Sequence, residues 1–223
     1  MSDEQNGQTE YAVEESSQPV ASAGIADEEL RNFGAGIALC AILILFVSSS
    51  FAIWSVELES DAGDFSVSGD YTFDVNEFEI DMEGMDNTVE YDDSDCDCSD
   101  LESFFGNLKI LLYIVLIAGA FMAYIGHTGE KMEFAEKSIG AVALISLIIV
   151  GYTFVGLPSA FNDDMEVDDV EAKFIGTDSV TEDGVELELK GSPGLGFIAS
   201  VVPLGLSGYL IKNRGITLED ITG

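Results

Sequence analysis

Hydrophobic and polar positions alternate along this chain on two different scales. Four long runs carry no Asp, Glu, Lys or Arg: residues 32–56, 110–129, 138–162 and 191–211. Each approaches the ~20 residues that an α-helix needs to cross a ~30 Å hydrocarbon layer. The first run is apolar all round rather than along one stripe, which points to lipid contact rather than a surface helix. The pattern predicts four transmembrane helices over 32–56, 104–126, 139–161 and 193–211. Lys109 lies one turn inside the second, with a stem long enough to return its ammonium to the headgroups. Pro158 is expected to loosen the end of the third, and Pro203 with its neighbouring glycines makes the fourth the least regular.

Between the runs the period changes to two. Phe65, Val67, Tyr71, Phe73 and Val75 alternate with polar residues, as do Phe78, Ile80 and Met82. The same alternation returns in Val170, Ala172 and Phe174, and again in Val185, Leu187 and Leu189 after the turn signal Asp183-Gly184. Aromatic and β-branched residues at period two mark strands. A lone hairpin is marginal in water, so strands from both loops are expected to join in one small sheet. The predicted fold is an α-helical integral membrane protein, with four transmembrane helices and a β-rich extracytoplasmic module built from two loops, 57–103 and 162–192. Residues 1–31 read as an acidic disordered cytoplasmic tail, 127–138 as a cytoplasmic loop and 212–223 as a cytoplasmic tail. The order span, strand-rich loop, span occurs twice, which suggests a parallel duplication.

Charge sets the direction. The chain has 223 residues, 42 Asp+Glu against 8 Lys+Arg and a formal charge of −34, yet 47% of it is hydrophobic. The first 30 residues hold no base, so neither a cleaved signal nor a mitochondrial-type presequence fits there. Basic residues near span ends favour the cytoplasm. Arg31, Lys131, Lys137, Lys212 and Arg214 then lie inside, with Lys109, Lys173 and Lys190 outside. Residues 55–108, without a base, belong outside, and both termini fall in the cytoplasm. Trp54 and Tyr209 occupy expected aromatic-belt positions. Of the 42 carboxylates, 18 lie in residues 55–103 and 11 in 162–191. Such a surface repels itself in dilute buffer, whereas the Debye length falls to ~3 Å at 1 M salt. This composition resembles that of proteins from extremely halophilic archaea and their viruses. Nucleic acid is not expected as a partner, because 8 Lys+Arg among 42 Asp+Glu cannot neutralise a phosphate backbone.

Candidate chemistry is sparse. Asp95-Cys96-Asp97-Cys98 is the most distinctive string. Cys96 and Cys98 could pair with each other, pair with a second copy, remain an inert exposed pair, or bind a soft metal. The spacing Asp93, Asp95, Asp97 imitates an EF-hand, but Cys98 stands where Gly is needed and Phe104 where Glu is needed. Cys40 reads as a packing residue. Gly119-x-x-x-Ala123 and Gly196-x-x-x-Ser200 are small-residue faces suited to helix packing, within the chain or between copies. Gly205-Leu206-Ser207-Gly208 looks like the string around the nucleophile of rhomboid intramembrane proteases. That family implies a base on a later span, and no His follows Ser207; His127 precedes it, near the cytoplasmic end of the second span.

No ionisable group sits at mid-membrane as coupled transport requires. The expected function is therefore non-enzymatic, without cofactor or metal. The chain would act as a scaffold, accessory subunit or envelope component in a plasma membrane or viral envelope, with the bilayer and a protein partner or second copy as its partners. A small oligomeric channel or transporter subunit is one alternative, and an extracytoplasmic thiol-redox protein using Cys96 and Cys98 is another.

Overall fold

A computed structural model describes residues 27–47, 50–62, 66–82, 85–93, 96–165, 170–182 and 184–222. Four of its helices are long and apolar enough to span a membrane: α1 (Glu28–Phe46), α2 (Ser99–Thr128), α3 (Ala135–Met165) and α4 (Leu195–Arg214). A short α5 (Leu218–Thr222) follows. The long helices pack around a ring, α1 on α2, α2 on α3, α3 on α4 and α4 on α1. Apolar side chains also point out of the bundle, among them Leu39, Ile117, Leu144 and Val155, which are 54–70% exposed.

Helix ends follow local chemistry. The Asp27 carboxylate accepts from the Leu30 amide at 2.9 Å, and Glu28 and Glu29 lie in the first turn, where they favour the helix dipole. The helix therefore starts at Glu28, inside the tail expected to be disordered; residues 1–26 of that tail lie outside the described residues. Cys98, the N-cap of α2, makes no side-chain cap bond. Asp164 from the end of α3 substitutes, accepting from the amides of Asp100 at 3.0 Å and Leu101 at 2.8 Å. That task carries α3 beyond Pro158, which is buried inside a continuing helix rather than ending it.

At one end of the bundle sits a six-stranded antiparallel sheet in the order β4-β3-β2-β1-β6-β5. Four strands come from the first long connection: β1 (Trp54–Asp61), β2 (Ser66–Phe73), β3 (Glu77–Met82) and β4 (Met85–Glu90). The second connection supplies β5 (Gly176–Glu182) and β6 (Val185–Pro193). Pairing of β1 with β6 joins the two connections into one sheet, with Val56 opposite Gly191 and Leu58 opposite Leu189. Helix–strand–helix order thus occurs twice, with four strands in one half and two in the other. Phe65 and Asp183, from the expected strand and turn, lie outside the described residues; Gly184 takes the left-handed φ of 85° that a tight turn needs.

Two expectations are corrected here. α1 stops at Phe46, well short of residue 56, because the chain is committed to the sheet from Ile53, whose amide donates to Phe73 O at 2.7 Å. Trp54 consequently lies fully buried in the module rather than in an aromatic belt. Val170, Ala172 and Phe174 are also buried, but they form no strand. Asn162 takes both backbone groups of Ala172, accepting from its amide at 2.8 Å and donating to its carbonyl at 3.2 Å. This segment lies on the inner side of the sheet, against Gly191, where a Cβ would collide with Lys173 O.

Candidate functional site

Period-two alternation gives the sheet two unlike faces. Trp54, Val56, Tyr71, Phe73, Phe78 and Leu189 point toward the helices and are buried or half-buried. Trp54 stacks on Phe73 at 5.5 Å and meets Phe161 of α3 edge-on at 5.5 Å. Farther along, Phe78 stacks on Tyr91 at 5.7 Å, and Tyr91 on Phe105 of α2 at 4.5 Å. Aromatic pairs of this kind contribute about 0.5–1.5 kcal/mol each beyond burial, so the sheet is fastened to the bundle through rings.

The opposite face is carboxylate. Strand register sets Glu57 across from Asp70, Asp70 from Asp81, and Asp81 from Asp86. Glu77 faces Glu90, Glu59 faces Glu188, and Asp61 faces Glu186. Like charges directly opposite one another on a sheet destabilise it. One base relieves the array: Lys190 reaches Glu57 at 2.7 Å, and the hydrogen bond and charge of Glu57, followed by the charges of Glu59 and Glu188, raise the ammonium pKa. β5 differs from the rest, presenting Thr177, Ser179 and Thr181 on this side.

Where β2 turns into β3 the two faces meet. Asp74, nearly buried, accepts from the amides of Asn76 at 2.7 Å and Glu77 at 3.1 Å. The Tyr91 hydroxyl donates to Asp74 O and Glu77 O. Burial raises the Asp74 carboxyl against those two amide bonds and the charge of Lys109. Burial, then the charges of Asp74, Glu90 and Glu79, raise Glu77. Burial pushes the Tyr91 phenol well above its ordinary range.

The residues singled out by sequence fall in separate places. Cys96 and Cys98 are joined to each other in the turn that enters α2, with Cys98 buried. Asp92, Asp93, Asp97 and Asp100 accompany them, and this negative surrounding disfavours the thiolate that exchange chemistry needs. Asp95 lies outside the described residues. Gly119 sits in the seam with α1, where a Cβ would lie 2.8 Å from Ile37 and 2.9 Å from the Ala38 amide. Ala123 shares that seam, its backbone against Gly34. Gly196 instead packs on the backbone of residues 51–52 and donates to Ala52 O at 2.8 Å. Ser200 and Ser207 are buried, and their hydroxyls donate to carbonyls of their own helix, at 2.7 Å to Phe197 O and 2.7 Å to Pro203 O. The Ser207 hydroxyl is thus occupied by backbone, and His127 is exposed at the end of α2. Among the described residues, no three His, Cys, Asp or Glu side chains converge as a metal site requires.

Sequence reasoning missed the α2 cap Asp164 and the clamp Asn162, because each acts across elements. The charges facing each other across the outer surface were visible only as composition until the register was known. Comparison with known protein families and with curated proteins gives no match for this chain.

Proposed function

We propose that the four long helices cross a membrane, with both termini on the cytoplasmic side and the six-stranded sheet outside. The chain works there without catalysis, as a scaffold, accessory subunit or structural component of an envelope. Its working surface is the carboxylate face turned away from the bundle. The membrane belongs to an extreme halophile or to the envelope of one of its viruses.

The observation that carries this reading is the register of like charges: Asp70 between Glu57 and Asp81, Glu59 against Glu188, Glu77 against Glu90. A sheet needs one buried face for stability, and the ring-lined inner face supplies it. The outer face adds repulsion, which molar salt screens. Retaining an array that costs stability is consistent with a surface used for contact or for solubility in brine. Apolar side chains exposed all around the helices supply the lipid-facing surface.

The test is purification from native membranes in molar salt, with every co-eluting protein identified. A stoichiometric foreign partner that is lost when Glu57, Glu59 and Asp70 are changed to Gln, Gln and Asn supports the proposal. A closed homo-oligomer around a water-filled axis would contradict it in favour of a pore.

A further inference from the structure

A cavity of about 530 Å³ opens between the last turns of α3 and residues 171–175. Its lining changes character along the helix axis. Phe154 and Val155 begin it, exposed by 48% and 70%, and Ile175 lies opposite, 59% exposed. At the other end are Asp163 of α3 with Glu171 and Lys173 of the crossing segment. From residue 154 to 163 the helix rises ~13 Å, so the gradient runs from greasy to charged over the depth of a membrane interface.

We propose that this groove seats one phospholipid whose headgroup ends in a hydrogen-bond donor. The inference rests on the membrane-spanning reading and adds a ligand to it. The acyl chain lies along Phe154, Val155 and Ile175, open to the surrounding lipid. The phosphate meets Lys173, whose ammonium has three donors and spends two of them, on Asp178 at 2.6 Å and Thr177 O at 3.4 Å. Asp163 and Glu171 are acceptors, so the tip of the headgroup has to bring an N–H or O–H to them. Ethanolamine and glycerol headgroups bring one. A choline headgroup brings none, so it adds nothing at Glu171 and leaves Asp163 with the Ser159 hydroxyl alone, at 3.4 Å. A soluble anion lacks the chain that the apolar half accommodates, and an apolar ligand leaves the charged half unmatched.

The full chain is reconstituted with phosphatidylethanolamine, phosphatidylglycerol and phosphatidylcholine of identical acyl chains, and the lipid retained is read by native mass spectrometry. One ethanolamine or glycerol lipid per chain should be held about tenfold more strongly than the choline lipid, the worth of one charge-assisted hydrogen bond. Val155→Trp, which fills the apolar half, and Lys173→Gln, which removes the phosphate's donor, should each weaken retention of all three lipids, whereas Asp163→Ala with Glu171→Ala should abolish the preference among them. Leu144→Trp, on the lipid-facing surface away from the groove, should leave both retention and preference intact. Equal retention of all three lipids, loss with Leu144→Trp as great as with Val155→Trp, or displacement of the lipid by soluble phosphoethanolamine would overturn the proposal. Resistance to alkaline carbonate extraction is measured in parallel. A chain that washes off the membrane refutes the spanning reading, and a chain that stays but shows no headgroup preference refutes only the lipid site.

Discussion

Trp54 joins three parts of the molecule through one side chain: it begins β1, stacks on Phe73, packs on Phe161 of α3, and donates its indole N–H to Phe174 O at 3.1 Å. Asp74 and Glu77, where β2 turns into β3, show the opposite situation, carboxyl groups held where their charge is unwelcome. Both have raised pKa values, so the folded chain binds their protons more tightly than the unfolded chain does. Their contribution to stability therefore improves as pH falls through the raised values and worsens as pH climbs past them. Glu77→Gln should raise the melting temperature at neutral pH and low salt, and the gap to wild type should close as acid protonates Glu77. Circular dichroism melts at stepped pH measure it; a gap that widens on acidification refutes the assignment. In the bundle, Ser146 has a buried hydroxyl with no hydrogen-bond partner among the described residues. Removing an unsatisfied polar atom of this kind recovers about 1 kcal/mol, so Ser146→Ala should stabilise, as seen in detergent unfolding curves.

Among the elements, α2 depends on α3 for its start. Asp164→Ala leaves the Asp100 and Leu101 amides without their acceptor and should cost about 1–2 kcal/mol, with Asp164→Asn recovering part of the loss. The strands depend on screening. Raising salt from ~0.1 M to ~2 M should raise the melting temperature of the sheet, and Asp86→Lys, which places a cation opposite Asp81, should reduce that rise. An unchanged salt response in this variant would show that cross-strand repulsion is not its source.

The same elements show what sequence could and could not disclose. Phe78, Ile80 and Met82, like Leu187 and Leu189, alternate strictly, and they are strand residues facing the helices. Val170, Ala172 and Phe174 alternate as well, yet the Asn162 side chain and the crossing over Gly191 claim that backbone, and period alone does not reveal a competitor. Nor does hydropathy separate the end of α1 from the start of β1. The uncharged run continues to Val56, and only the pairing of Trp54 with Phe73 and Pro193 settles where the helix has ended. Of the small-residue faces, Gly119 and Ala123 lie in a helix seam, whereas Gly196 packs on an extended segment. Spacing specifies close approach without specifying to what.

For the whole molecule, both long connections leave the bundle at the same end and share one sheet. The far end is tied by Arg214, which reaches Asp27 at 2.7 Å, and by the Asp27 amide donating to Gly126 O at 2.8 Å. Burial opposes ionisation of Asp27, but the Leu30 amide and Arg214 outweigh it and hold the carboxyl below its usual value. The central claim, that the helices span a bilayer and the two connections meet as one sheet on its outer side, has a direct test at Ser55 and Ser192. They are register partners whose hydroxyls lie 2.9 Å apart at the exposed surface. With Cys40, Cys96 and Cys98 replaced by Ser, a Ser55→Cys, Ser192→Cys chain in intact cells should form a disulfide linking the two connections, and a membrane-impermeant reductant added outside should open it. Failure of the bond to form, or a bond that only a permeant reductant reaches, would contradict the account.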